Sequence, residues 1–298
     1  MDRLKTILVA LDFSPPAEAA LAQAFRLGVV NGAEITVLHA VQPLLYNRGW
    51  LDEEAARQLP TIAQLMDDAS VRLRSVLAAY AAPNTVRYQV VAGHTLATIL
   101  DWCERLHPDL LVLGAHSVSD AYRHVGYTAS GAIRKAAAPV LAVHANNTRA
   151  YQRILVATDF SATSEAALRA ALRLASSDDA EIEVMHVYGD PWQGHEIPAW
   201  HRETVPDFAE KYAQRACRHI EEWARTALAQ ASGLRVSFAA VQHAKPGEAI
   251  VERAIASNAD LVAMGTKGTT NLRYTLLGST AEAVLRKVPC SVIAIKPD

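Results

Sequence analysis

Short runs without a polar position alternate along this chain with longer stretches in which apolar residues recur at helical spacing. Ile7-Leu8-Val9-Ala10-Leu11 is such a run, the mark of a strand covered on both faces, and Asp12-Phe13-Ser14 ends it. Pro15 suits the first position of a helix and Ser14 its N-cap. Ala17, Ala20, Leu21, Ala24 and Leu27 then recur with helical spacing until Asn31-Gly32 breaks the pattern. A strand over 34–41 follows, then an irregular insertion over 42–60 and a long helical region. After these the pattern predicts a strand over 86–91, a helix over 95–106, a strand over 109–113, a helix over 128–135 and a strand over 140–143.

A shift of 147 positions lays Ile154-Leu155-Val156-Ala157-Thr158-Asp159-Phe160-Ser161 on residues 7–14 without a gap. Glu165-Ala166-Ala167-Leu168 then meets Glu18-Ala19-Ala20-Leu21, and His186 meets His39. About half the positions over 5–41 are identical in one register, so the chain is a duplication of a domain-sized unit. Two large copies predict tandem domains, residues 1–146 and 151–298, joined near Asn146-Asn147-Thr148. In the second copy a helix over 208–229, a strand over 236–241, a helix over 250–256 and strands over 261–264 and 292–295 repeat the order. Such alternation predicts an α/β fold with two Rossmann-like domains, each a parallel sheet with helices on both faces. The apolar final strands are expected to pair as an intramolecular pseudo-dimer.

One stretch carries a chemical motif. After Leu261-Val262-Ala263-Met264, the glycines fall as Gly265-x2-Gly268-x9-Gly278-Ser279, with Thr280 next. Glycines allow positive φ and remove the Cβ that would keep backbone N–H groups from an anion. Ser279, three residues before Glu282, reads as the N-cap of a capping box, and a helix N-terminus favours phosphate. The same residues also suit a tight turn and a plain cap, and spacing alone leaves both readings open. No Gly-Lys-Ser/Thr closes the loop, and it is not Gly-x-Gly-x-x-Gly. In a parallel sheet, Asp159, the 186–187 strand end and Gly265 all lie at strand C-termini, where ligands of such folds bind.

Composition narrows the partners. With 29 basic and 31 acidic residues the net charge is -2, which gives no electrostatic case for nucleic acid or a membrane surface. The first apolar run is interrupted within a few residues by Asp12, unlike a signal peptide or membrane span, so a soluble, cytoplasmic protein is expected. Cys103, Cys217 and Cys290 are widely spaced and suggest neither disulfides nor a thiolate metal site.

The Asp-Phe-Ser after each first strand, the His-Ala or His-Val ending each second strand, and the Gly-x2-Gly-x9-Gly-Ser loop together resemble the universal stress protein family, over nearly the whole chain. The resemblance implies a five-stranded parallel α/β sandwich in each half, a role in stress response, and dimers whose final strands pair. In the nucleotide-binding branch it implies ATP, carried with a divalent ion such as Mg2+ or Mn2+. On that footing Asp159 lies by the ribose, phosphates or ion, and Val187 presents backbone to adenine. Gly265 and Gly268 let the loop approach ribose and phosphates, while Gly278, Ser279 and Thr280 hold phosphate at the helix start. Met264 reads as core from its strand run and is counted with the cofactor-binding set as the residue before Gly265. On the residues alone, Asp159 also suits a turn, and Val187 is equally core.

The first copy departs from the motif: Gly114-Ala115-His116-Ser117 has serine for the second glycine, the spacing to Gly126 is one shorter, and Tyr127 stands before Thr128. Ser117 and Tyr127 are expected to crowd phosphates, so the first domain is predicted to bind ATP poorly.

The remaining candidates are weaker. His186, His195 and His201 straddle an irregular loop without a helical metal motif, and His39 and His186 read as structural residues bonded to backbone. Tyr188, Trp192 and Trp200, among Pro191, Pro198 and Pro206, suit either a lid or partner surface or a cover for the sheet. No Gly-x-Ser-x-Gly elbow occurs and Ser279 has no assigned base, so no catalytic residue is nominated, and slow ATP hydrolysis is the most that is expected. Two readings remain: a nucleotide-dependent regulator or sensor using its second domain, and a stress-associated scaffold that binds no nucleotide.

Overall fold

The structure, a computed structural model, describes residues 3–42, 59–80, 86–116, 125–190, 208–229, 231, 233–268 and 277–297. Most of the insertion over 42–60, Ser117, and the segment holding Trp192, His195, Trp200 and His201 lie outside the described residues. The chain divides into two compact units, Asp2–Ala121 with Gly126–Arg149, and Ala150–Asp298 with Tyr122–Val125.

The first unit runs β1 (Thr6–Ala10), α1 (Pro15–Asn31), β2 (Glu34–Val41), α2 (Ile62–Ala78), β3 (Val86–Ala92), α3 (Thr95–Leu106), β4 (Leu110–Gly114), α4 (Tyr127–Lys135) and β5 (Val140–Val143). Its strands lie in the order β3-β2-β1-β4-β5, and every neighbouring pair is parallel. The second unit repeats this with β6 (Arg153–Thr158), α5 (Ala162–Asp178), β7 (Glu181–Tyr188), α6 (Phe208–Leu228), β8 (Arg235–Gln242), α7 (Pro246–Ala256), β9 (Leu261–Gly265), α8 (Ser279–Lys287) and β10 (Ser291–Ile295). The order there is β10-β9-β6-β7-β8, again parallel throughout.

The apolar runs account for this topology. Ile7, Leu8 and Val9 are 0% exposed, and Ile154, Leu155 and Val156 at most 1%. Successive strand residues face opposite sides, so three consecutive buried residues require helices over both faces. In each unit the chain leaves the first strand toward one side and returns to its other side with the fourth. The crevice between those two strand ends is the switch point at which doubly wound sheets take ligands.

Local chemistry sets the element ends as the pattern predicts for α1, where Ser14 Oγ accepts from Ala17 N at 3.3 Å and Gly32 terminates the helix at φ 69°. Asp109 Oδ2 accepts from the amides of Lys5 and Thr6 at 2.6 and 2.9 Å, tying the start of β4 to that of β1. Asp260 repeats the staple on Gln152 and Arg153 at 2.7 and 3.1 Å. Two boundaries differ from expectation. α7 begins at Pro246, four residues before the apolar periodicity over 250–256, because proline is already set for the first helical turn. α8 is capped by Gly278 at φ -62°, ψ 146°, without a side-chain bond. The expected capping box on Ser279 is therefore corrected: Ser279 is the first helical residue, and the Glu282 carboxylate pairs with Arg286 at 2.6 Å.

None of the three cysteines forms a disulfide; Cys103 and Cys290 are buried, and burial pushes the Cys290 thiol up to about 12. No described helix is long and apolar enough to cross a membrane.

Candidate functional site

Parallel pairing brings the C-terminal ends of β6, β7 and β9 together, and α7 and α8 start beside them. Between these elements lies a crevice of ≈ 300 Å³. Asp159, Val187, Met264, Gly265, Gly268, Gly278, Ser279 and Thr280 all line it. Met264 is also 3% exposed, so its core reading and its place at the crevice wall hold together.

Asp159 is aimed by a local device that the sequence pattern does not announce. Ser161 donates to Asp159 Oδ1 from its amide at 3.1 Å and its hydroxyl at 2.5 Å, while the same hydroxyl oxygen caps α5 by accepting from Ser164 N at 3.2 Å. The residue between them, Phe160, sits at φ 64°, a left-handed conformation that a bulky side chain adopts at a cost of roughly 1–2 kcal/mol. Its ring is held 4.4 Å from the ring of His186 and 4.6 Å from that of His219, which offsets that cost. His186 is fixed in turn, Nδ1–H donating to the Thr158 carbonyl at 2.8 Å, as expected for a structural histidine. The first unit repeats the device, with Phe13 at φ 60°, Ser14 on Asp12, and His39 Nδ1–H on the Leu11 carbonyl at 2.7 Å.

The motif glycines serve space rather than positive φ: among the described glycines only Gly32 and Gly233 lie in that region. A Cβ on Gly268 would stand 2.3 Å from Asp159 Oδ2, so the missing side chain lets loop and carboxylate share the same wall. A Cβ on Gly265 would meet Thr163 Oγ1 at 2.9 Å and Ser164 N at 3.2 Å, so this glycine seats the first turn of α5 on the end of β9. Gly278 closes the loop by donating to the Thr266 carbonyl at 2.9 Å.

Several lining groups escaped the sequence reading. Thr266 is 3% exposed, and its Oγ1 has no hydrogen-bond partner among the described residues. Buried hydroxyls without partners are uncommon because leaving one unsatisfied costs about 1–3 kcal/mol. Lys267 also lines the crevice, its carbonyl accepting from Thr163 Oγ1 at 2.5 Å, and Pro246 and Ile250 add apolar groups from α7, whose Gly247 lies against Thr280 and Ala283 of α8. The signal for the first two was their place between the motif glycines. For the last two there was only the proline that opens α7.

The arrangement has a polar end and an apolar end. Helix α8 starts at the polar end without a side-chain cap bond among the described residues, and its first amides carry the positive end of the helix dipole. With Ser279 exposed beside Thr280, that end offers several donors to an anion. Among the described residues no group of three or more His, Cys, Asp or Glu side chains is placed to hold a metal.

The first unit keeps a crevice of ≈ 320 Å³ at the matching strand ends, lined by Asp12, Ala40, Ile99, Ala115, His116 and Tyr127 among others. Tyr127, at the first position of α4, lines this crevice and is 84% exposed.

A parallel sheet wound on both sides, with a glycine-lined crevice at its switch point, makes each unit a Rossmann-like α/β domain. The model of the universal stress protein family matches residues 3–144 and again 150–296, so the chain belongs to that family, in tandem. A universal stress protein of Mycobacterium tuberculosis is 26% identical across 97% of this chain and 96% of its own length. Another, from Methanocaldococcus jannaschii, is 31% identical across 51% of this chain and 85% of its own length. The crystal structure of a universal stress protein from Archaeoglobus fulgidus shares the fold with a TM-score of 0.64 at 21% identity, covering 98% of this chain and 96% of that one.

Proposed function

We propose that the second unit binds ATP and that the protein acts as a nucleotide-dependent regulator or sensor in stress response. The observation that carries this reading is the polar end of the crevice. The partnerless Thr266 hydroxyl, the open start of α8 and the gap left by Gly268 beside Asp159 are three independent provisions for an anionic ligand. Phosphates would lie against Gly278, Ser279 and Thr280, the ribose near Asp159 and Gly268, and the base against Val187, Met264 and Ile250. A Mg2+ or Mn2+ ion brought by the phosphates would find Asp159 as its protein ligand. The net charge of -2 makes a local, donor-based site necessary, since no general positive field would draw the nucleotide in.

Isothermal titration of the full chain with MgATP tests the proposal, with one site per chain expected. Absence of binding at millimolar ATP would overturn it and leave the scaffold reading. On the regulator reading, nucleotide state is passed to a protein partner or a second copy, so light scattering with and without ATP should report a change in assembly. A switch of that kind requires different ATP affinities in the two states.

Thr266→Val gives effects of opposite sign. The swap keeps the shape and removes a buried hydroxyl, so the ligand-free protein should gain up to about 1 kcal/mol. ATP should bind roughly 3- to 10-fold more weakly, one neutral hydrogen bond being lost. Thermal denaturation with and without ATP reads both; equal shifts in the two conditions would count against contact between Thr266 and the ligand.

A further inference from the structure

A second concavity of the second unit, ≈ 550 Å³ in volume, lies between α6 and the end of β7, a size that suits a small molecule. His186 is the one described residue that lines both this groove and the crevice. Tyr188 and Tyr212 stand at the groove with ring centroids 4.9 Å apart, tilted at 48°. Arg215 follows Tyr212 by three residues and Arg218 follows Arg215 by three, so the three side chains are neighbours on the surface of α6. Both arginines are exposed, and among the described residues neither forms an ion pair. Glu222, four residues beyond Arg218, also lines the groove. With its histidines neutral, the lining therefore carries two positive charges and one negative.

The duplication shows that the fold does not require this set. Under the shift of 147 positions Phe160 falls on Phe13 and His219 on Arg72. The structure agrees with that register: Arg72 Cζ stands 4.5 Å from the centroid of the Phe13 ring, and the His219 ring 4.6 Å from that of Phe160. The same register puts Val41, Leu65, Asp68 and Val71 where the second copy has Tyr188, Tyr212, Arg215 and Arg218. Aliphatic groups and an acid thus serve the same helix and strand in the first unit. The tyrosines and arginines answer to something other than packing.

We infer that this groove binds a small aromatic monocarboxylate, its ring against Tyr188 and Tyr212 and its carboxylate on Arg215 and Arg218. Guanidinium groups meet a carboxylate through paired, parallel N–H donors, and tyrosine rings offer both face and edge to a flat ring. The single surplus positive charge matches a monoanion, while Glu222 disfavours a second negative group. The groove would hold such a ligand whether or not the crevice holds a nucleotide.

Equilibrium dialysis of the full chain with labelled naphthoate tests this, with naphthalenemethanol as the uncharged ring and acetate as the charge without a ring. The variants are Arg215→Gln with Arg218→Gln, Tyr212→Ala, and Arg225→Gln, the last an exposed arginine of α6 that does not line the groove. Circular dichroism confirms that each is folded, as expected for changes on an exposed helix face. One naphthoate per chain is expected, bound roughly tenfold more weakly by the double arginine variant and at least threefold more weakly by Tyr212→Ala. Arg225→Gln should leave the affinity unchanged, naphthalenemethanol should bind at least tenfold more weakly, and acetate at equal concentration should displace nothing. No saturable naphthoate binding at millimolar concentration, binding that neither groove variant moves, or equal weakening by Arg225→Gln would each overturn the inference. Because the readout is naphthoate and not nucleotide, a chain that fails to bind ATP yet shows the arginine-dependent site would sink the proposed function and leave the groove assigned.

Discussion

Gly268→Val should weaken ATP binding ten- to a hundredfold, about 1.4–2.8 kcal/mol, with little loss of stability. The Cβ would fall 2.3 Å from Asp159 Oδ2, nearer than any real contact, so either the carboxylate rotates or the loop lifts. Rotation breaks both Ser161 bonds at Asp159 Oδ1; lifting carries Lys267 and the start of α8 away from the phosphate positions. Each route spoils the polar end, but neither disturbs the core, because the clashing atom is the free end of a side chain. The mechanism is separable by a double-mutant cycle with Asp159→Ala. If the clash with Asp159 is the cause, valine at 268 should cost much less once Asp159 is truncated. Full additivity would place the effect in the loop backbone instead.

How much of this was legible in the residues depends on which interaction sets each feature. The strands and α1 were legible because burial on both faces demands unbroken apolar runs, and a cap demands serine before the helix. The duplicated register around Asp12-Phe13-Ser14 and Asp159-Phe160-Ser161 was legible for the same reason: identity of sequence needs no geometry. The positive φ of Phe13 and Phe160 was not. A sequence rule assigns that conformation to glycine or asparagine, and here it is held by ring contacts with histidines 26 residues further on in each copy. The capping box on Ser279 misled because a serine followed three residues later by glutamate fits the rule whether serine is the cap or the first helical residue. The hydrogen bond from Gly278 N to the Thr266 carbonyl, a tertiary contact, decides between them.

The candidate site divides along the same line. Its glycines could be named from spacing, but their purpose could not, since Gly268 answers to Asp159, more than a hundred positions earlier. Thr266 carried no signal beyond its place between the motif glycines. A threonine after a strand is ordinary, and only burial of its hydroxyl without a partner among the described residues makes it informative.

Leu155→Ala should cost about 2–5 kcal/mol, and Leu8→Ala in the first unit a similar amount, both read from the urea midpoint. Leu155 is 1% exposed and Leu8 0%, each in the strand that lies third of five in its sheet. Truncation removes three carbons from a layer closed by helices and leaves a cavity that neighbouring strands cannot fill, since hydrogen bonding fixes them on both sides. Ile255→Ala, on a residue 57% exposed, should change stability by under about 0.5 kcal/mol and serves as the control. A loss below about 1 kcal/mol for Leu155 would contradict a core covered on both faces, the feature on which the placing of the crevice depends. The contrast with Gly268→Val is the informative part. Leu155 holds the sheet together and lies away from the strand ends, so Leu155→Ala should lower stability without changing ATP affinity in the folded protein, whereas valine at 268 should do the reverse. Observing both would separate the scaffold, fixed by burial, from the site, fixed by a few polar groups at the ends of its strands.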